Sequence, residues 1–149
     1  MKKTLESICV LCMVVFMLGG CGQASVENSG PIISVNEEDQ ELLDEIGDDI
    51  HVVDPADFAE TAESFGEENV GEVYQLTGYY IVAKSENEQT DCLCDGSTEP
   101  SVALMLRYLE TELTEGDCYT VTGIVALEEH GDHSHIVFDV ITVESYAEN

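Results

Sequence analysis

Three histidines near the carboxyl end of the chain have the type and spacing from which a metal site can be built. His130, His133 and His135 lie within six residues, in an acidic segment that spans residues 128–135. In an extended segment His133 and His135 point to the same side, and His130 can reach them across a turn. Because imidazole and carboxylate groups bind transition metals, the cluster predicts a site for Zn²⁺, Ni²⁺ or Cu²⁺. Its spacing matches no defined zinc motif, so a solvated polar turn is the alternative interpretation.

Three cysteines in the middle of the chain form a second reactive group. Cys92 and Cys94 flank a single leucine, and Cys118 follows in a separate segment. A direct bridge between Cys92 and Cys94 would close a small, strained ring, so the predicted pairing is a disulfide of Cys118 with Cys92 or Cys94. Thiols in a half-buried strand, or a metal or redox site built from Cys and His, are the alternatives that stay open.

The charge balance limits the partners of the chain. Its 149 residues include 4 Lys and Arg against 32 Asp and Glu, so the formal net charge is −28. Nucleic-acid binding depends on Lys and Arg groups that displace counterions from phosphates, and Lys84 and Arg107 alone cannot form such a track. We therefore expect no nucleic-acid partner. Acidic clusters such as residues 37–39 and 67–68 can attract a basic protein or a cation, although a solvated acidic surface is the simpler interpretation.

No pattern of catalytic residues stands out in the sequence. Acidic residues are too numerous for any pair to mark a glycosidase or an acid–base catalyst. No Ser-His-Asp pattern occurs in a recognisable context, and no D-x-D-x-D-G loop indicates a calcium site. We therefore predict that the protein is not an enzyme. We predict no cofactor apart from the Zn²⁺ or other transition metal that the histidines can bind.

The first residues indicate where the chain is delivered. Met1-Lys2-Lys3 is a positive start, and residues 8–18 (ICVLCMVVFML) form an unbroken apolar run. That run is about half as long as a membrane-spanning helix and is typical of a signal peptide. The following Leu18-Gly19-Gly20-Cys21 resembles the lipobox of bacterial lipoproteins. The resemblance implies that residues 1–20 are removed and that Cys21 carries acyl chains, which anchor the protein at the extracytoplasmic face of the cell membrane or envelope.

Two other interpretations of the N-terminal segment stay open. The start could be an ordinary signal peptide with an incidental cysteine, or the buried N-terminal helix of a cytosolic protein. From Cys21 onward the chain is polar and then acidic, so apolar burial cannot offset the entropy of ordering it. We predict a flexible acidic spacer over residues 21–52, in which residues 37–46 have the spacing of a short helix.

A short helix is predicted between the spacer and the rest of the chain. Asp54 can accept hydrogen bonds from the first helical N–H groups, and Pro55 suits the first helical position. Phe58 and Phe65 lie on one apolar face, and Gly66 ends the helix. This face should dock against a core.

The remainder of the chain is predicted to form five β-strands. Runs rich in Val, Ile, Thr and Tyr alternate with polar loops, and they cover residues 73–83, 92–94, 102–108, 118–127 and 136–143. Gly78 and Gly123 lie inside two of these runs, where a sharp bend requires a missing side chain. We predict a mostly β domain over residues 53–146, a five-stranded barrel preceded by a short α-helix.

Two segments of this domain carry a family resemblance. VYQLTG at residues 73–78 and LTEGDCYTVTG at residues 113–123 resemble the OB-fold domain of bacterial envelope lipoproteins, in particular the tRNA-anticodon-like domain. The resemblance spans about residues 53–144 and implies an OB-like barrel without a catalytic residue to transfer. OB-folds that hold single strands combine stacking aromatics with a cationic groove. Because this chain lacks the cations, we interpret Tyr79, Tyr80 and Tyr108 as strand or core residues.

These observations predict a membrane-anchored bacterial lipoprotein with a non-enzymatic OB-fold binding or adaptor domain in the cell envelope. The alternative function is that of a metal-binding envelope lipoprotein, which uses the loop of His130, His133 and His135. A third interpretation is a small-molecule or glycan binder on the face of the barrel.

Overall fold

The computed structural model describes residues 29–34 and 37–147 of the chain, with side-chain surroundings from residue 40 onward. Its helices are α1 (Glu37–Ile46) and α2 (Phe58–Ser64), with short 3₁₀ turns at Pro55–Asp57 and Glu67–Asn69. Its strands are β1 (Ser29–Ser34), β2 (Ile50–Val52), β3 (Val73–Lys84), β4 (Gln89–Cys94), β5 (Ala103–Arg107), β6 (Cys118–His130) and β7 (His133–Tyr146). Within these ranges, neither helix combines the length and the apolar character needed to cross a membrane. The signal peptide and Cys21 lie outside the described residues, so both stay predictions.

Five of the strands close into a barrel. β3 pairs antiparallel with β4 on one side and with β6 on the other. β4 pairs antiparallel with β5, β5 pairs in parallel with β7, and β7 pairs antiparallel with β6, which closes the ring. The prediction of a mostly β, OB-like fold is thereby confirmed. β4, β6 and β7 are longer than predicted, because their polar ends in the hairpins give no hydrophobic signal.

Two short strands extend the sheet beyond the barrel. β7 pairs with β5 only over residues 137–139 of β7. The carboxyl half of β7 beyond this pairing is free to pair with β1. β3 pairs with β4 only from Tyr79 onward, so the first residues of β3 are open on that side. β2 pairs in parallel with residues 73–75 there. An open sheet edge leaves backbone N–H and C=O groups unpaired, so a neighbouring segment is stabilised there. The sheet therefore includes residues 29–34 and 50–52, where composition alone predicted spacer, and α1 occupies the predicted helical segment.

The helix before the barrel begins as the sequence predicts. The Asp54 side chain accepts a hydrogen bond from the N–H of Ala56 at 2.9 Å, Pro55 opens the 3₁₀ turn, and α2 follows. Phe58 and Phe65 are both buried and belong to the core. The apolar face of α2 thus docks against the barrel, as expected.

Apolar side chains that alternate along the strands fill the inside of the barrel. The core consists of Phe58, Phe65, Leu76, Tyr80, Leu93, Leu104, Leu106, Tyr119, Val121, Val125, Phe138 and Val143. The buried Tyr80 confirms its interpretation as a core residue, and its hydroxyl donates a hydrogen bond to Asp91 at 2.6 Å. Burial, together with this carboxylate, raises the pKa of Tyr80 far above its ordinary value. The phenol therefore stays protonated and acts as a donor inside the barrel.

The two interior glycines lie where neighbouring strands leave no room for a side chain. A Cβ atom at Gly78 would lie 2.7 Å from the carbonyl oxygen of Cys94. A Cβ atom at Gly123 would lie 2.5 Å from the carbonyl oxygen of Asp139, next to a register shift between Thr122 and Gly123. The prediction that these positions require a missing side chain is confirmed.

Candidate functional site

A group of charged side chains lies on the outer face of the barrel, where β5, β7 and β6 run side by side. Arg107, the only arginine of the sequence, ends β5 in register with Asp139 of β7. Its Nε donates to Asp139 Oδ1 at 2.7 Å, and its Nη2 donates to Asp139 Oδ2 at 2.9 Å. Its Nη1 lies 3.5 Å from Oε1 of Glu128 on β6. This bidentate pair fixes the plane of the guanidinium against the barrel.

The contacts within this group favour the charged forms of Arg107 and Glu128. The hydrogen bond to Asp139 raises the pKa of Arg107. The hydrogen bond with His130, at 3.1 Å between Nε2 and Oε2, and the contact with Arg107 lower the pKa of Glu128. The side chains of Arg107, Asp139 and Glu128 are between 24% and 29% exposed, so solvent reaches all three. The group is ordered by its own contacts and stays open to a ligand.

Tyr108 follows this group directly and differs from its prediction as a strand or core residue. Its side chain is 69% exposed, and its φ angle of 59° lies in the left-handed region. Cζ of Arg107 lies 5.2 Å from the centroid of the Tyr108 ring, within the range of a cation–π contact. Alternation after Leu104 and Leu106 would direct residue 108 inward, but the left-handed backbone turns the chain out of the sheet. The core assignment of Tyr108 is therefore wrong.

The three histidines lie at the tip of the β6–β7 hairpin. His130 and His133 are in register across the turn, and His135 is in register with Glu128. The ring centroids of His130 and His135 are 6.0 Å apart. Within residues 29–34 and 37–147, no group of three His, Cys, Asp or Glu side chains is placed to share a metal ion. The structure brings His130, His135 and Glu128 together, and the metal site stays a prediction.

The cysteines lie on different strands of the barrel. Tyr79 of β3 is in register with Cys94 on one side and with Cys118 on the other. Their α-carbons are thus two strand spacings apart, about 9.5 Å, whereas a disulfide needs less than about 7 Å. In the described part of the chain, Cys118 accordingly forms no disulfide with Cys94 or Cys92. Burial raises the pKa of Cys92 and that of Cys94, the latter to about 12, so these two thiols stay protonated at neutral pH.

A row of apolar side chains crosses the outer face beside the charged group. In register from β3 to β6, this outer row consists of Ile81, Cys92, Met105, Val137 and Ala126. Leu106 and Phe138 alternate with its members along the strands and belong to the core, so the row lies on the opposite face of the strands. Val137 and Cys92 are nevertheless buried there, with 0% and 6% of their surface exposed. The next pair along β5 and β7 is Arg107 with Asp139. Only Ile81, Met105 and Ala126 of this row are partly exposed, so the outer face presents single apolar side chains beside oriented polar groups.

Two cavities lie away from this face. One, of about 440 Å³, is lined by the β2 region and the start of β3, including His51 and Glu72. Glu72 already accepts hydrogen bonds from Asn69 at 3.1 Å and from the hydroxyl of Tyr74 at 2.9 Å, and these bonds lower its pKa. The other, of about 250 Å³, lies between the start of α2 and β3. The outer face is the better candidate, because it combines an ordered group of charged side chains with the exposed Tyr108 beside Arg107.

One feature of the sequence indicated this site, although the many acidic residues made its partners hard to identify. Arg107 is the only arginine in a chain with 32 acidic residues, and such a cation is expected to pair with carboxylates. The partners, Asp139 and Glu128, are separated from it by 32 and 21 residues. No local pattern identifies them among so many acids.

No protein-family profile matches the chain, and no curated protein sequence matches it. A solved structure assigned as an aspartyl-tRNA synthetase from Leishmania major Friedlin is similar over 76% of this chain and 27% of that one, with 14% sequence identity and a TM-score of 0.39. This chain spans about a quarter of the length of that protein. The likeness carries no argument about activity or partners.

Proposed function

We propose that the chain is a membrane-anchored bacterial lipoprotein of the cell envelope, and that its OB-like barrel is a non-enzymatic binding or adaptor module. The binding role is supported by the oriented Arg107, Asp139 and Glu128, which lie beside the partly exposed Met105 and Ala126. A surface of this kind recognises a ligand through apolar burial and directed hydrogen bonds together.

The anchor is supported by the segment from Leu18 to Cys21. A thioether-linked diacylglycerol at Cys21 would place two acyl chains in the bilayer, which is enough for stable attachment. The membrane is then the first partner of the protein, at the extracytoplasmic face. The acidic charge of the chain suits a basic protein partner or a cation there, and it disfavours nucleic acid.

Cys21→Ala is expected to move the full-length protein from the membrane fraction to the soluble fraction of a bacterial host. The physical reason is the loss of the thiol that carries both acyl chains. Fractionation followed by immunoblotting measures the shift, and incorporation of labelled palmitate measures lipidation. Cys12→Ala is the matched control, because Cys12 lies within the apolar run and should leave both readouts unchanged. Membrane partition and palmitate labelling that persist in Cys21→Ala would refute the anchor.

The alternative, a metal-binding lipoprotein, is supported by the 6.0 Å separation of the His130 and His135 rings and by Glu128 beside His130. Titration of the full-length chain with Zn²⁺ tests it by calorimetry. If this alternative is correct, binding is at least micromolar and His135→Ala weakens it. Exposed His51, distant in the fold, provides the control His51→Ala. The alternative is wrong if wild type binds Zn²⁺ more weakly than micromolar, or if His135→Ala and His51→Ala bind it with equal affinity.

A further inference from the structure

Tyr108 is an exposed aromatic side chain on a disfavoured backbone conformation. The residue is 69% exposed, and its φ angle is 59°. A bulky residue in the left-handed region is uncommon, and residues in sparsely populated conformations concentrate at binding sites and ligand clamps. Exposure of a large aromatic side chain to water and a left-handed backbone both disfavour tyrosine at this position. A role for the exposed ring would explain why tyrosine is there.

The ring of Tyr108 contacts the barrel through Arg107. Arg107 lies 5.2 Å from the ring centroid, and its guanidinium is fixed by the two hydrogen bonds to Asp139. Glu128 adds a third contact to the same guanidinium at 3.5 Å. A platform ordered before its ligand arrives loses less entropy on binding. We call Tyr108 together with Arg107, Asp139 and Glu128 the Tyr108 platform.

The chemistry of the Tyr108 platform selects among ligand classes. An anion would be repelled by the net charge of −28. A cation on the ring would be repelled by the positive charge of Arg107 beside it. A guanidinium has five N–H donors, and each carboxylate oxygen has two lone pairs, so donors and acceptors remain beside the ring after the internal contacts. A hydroxyl group both donates and accepts hydrogen bonds, so it can bind to a site that offers donors and acceptors together. An aromatic face suits the apolar C–H face of a sugar ring.

We infer that the Tyr108 platform binds a neutral glycan, with a sugar ring stacked on Tyr108 and hydroxyl groups bonded to Arg107, Asp139 and Glu128. This inference rests on the proposed function, because it names the ligand class of the binding module. It does not depend on the anchor, since Cys21 is not part of the platform. Membrane release of Cys21→Ala and loss of glycan binding are therefore separate results.

Saturation-transfer NMR on the full-length chain, in a detergent that contains no sugar, tests the inference. Chitotetraose, cellotetraose and maltotetraose are the probes, each added alone. Saturation is expected to reach the ring C–H protons of at least one probe. Tyr108→Phe keeps the ring and should keep binding. Tyr108→Gly removes the ring and should weaken binding by about tenfold, the loss that follows from one stacked ring.

The glycine variant separates a binding role from a structural one. Glycine adopts the φ angle of Tyr108 without strain, so Tyr108→Gly should keep a melting temperature close to that of wild type. Val52→Ala is the matched control, because Val52 is 68% exposed on a different strand, and it should bind as wild type does. Saturation of none of the three probes overturns the inference. Equal binding by Tyr108→Gly and wild type overturns it as well.

Discussion

Phe138→Ala is expected to lower the free energy of unfolding by about 4 kcal/mol, the largest effect among these predictions. Phe138 has no exposed surface, and it lies in register with Leu106 on β5 and Val125 on β6. Removal of the ring leaves a cavity that a closed ring of hydrogen-bonded strands cannot collapse to fill. Because small domains are stable by only about 5–15 kcal/mol, this loss removes a large share of the free energy of unfolding. Urea denaturation followed by circular dichroism measures the loss.

Phe138→Leu is the control for this substitution. It keeps most of the apolar volume and should cost less than about 1.5 kcal/mol. Tyr108→Ala, which truncates an exposed ring, should change stability by no more than about 0.5 kcal/mol. If Phe138→Ala costs no more than these two variants, the inside of the barrel is not packed as described.

Gly123→Ala is expected to destabilise the domain by about 3 kcal/mol, an overpacking effect. The added methyl group would lie 2.5 Å from the carbonyl oxygen of Asp139 and 2.8 Å from Cε1 of Phe138. A flexible side chain can move away from such a contact, but a backbone carbonyl in a sheet cannot move without disturbing its strand. Thermal and urea denaturation measure the loss. The displaced backbone belongs to Asp139, so the Arg107 pair should be disturbed too, with altered NMR signals of the guanidinium N–H groups.

Gly96→Ala provides the matched control for Gly123→Ala. Its added methyl group would meet only the carbonyl oxygen of Glu99, at 3.8 Å, which is ordinary contact. The change should be neutral or stabilising by up to about 1 kcal/mol, because alanine restricts the unfolded chain. A loss in Gly96→Ala as large as that in Gly123→Ala would contradict the argument from close approach of strands.

The strands were predictable because their signal is local. Alternation along β6 and β7, and the Asp54 cap before α2, involve residues only a few positions apart. The same reasoning failed at Tyr108, because a single left-handed residue ends the alternation and no neighbouring residue announces it. It also underestimated the sheet over residues 29–52, since β1 and β2 are stabilised by open edges of β7 and β3. Their own composition did not indicate strands.

The candidate site was less predictable than the fold. The cluster of histidines and the acidic charge are visible in the sequence, but the distance between Arg107 and Asp139 depends on the parallel register of β5 with β7. The cysteines show the same limit. Their number allows a disulfide, whereas the placement of β3 between Cys94 and Cys118 separates them.

The sequence by itself determined the order of the five barrel strands and of the helix before them, the positions of the interior glycines and the acidic character of the chain. Each of these depends on residue type or on short-range periodicity, which are properties of the unfolded chain as much as of the folded one. Tertiary structure alone decided which carboxylates hold Arg107, that Tyr108 turns outward, and that Cys118 lies across β3 from Cys94. The reason is that alternation assigns a side chain to a face of a strand, whereas only the closure of the barrel selects the strand that lies beside it.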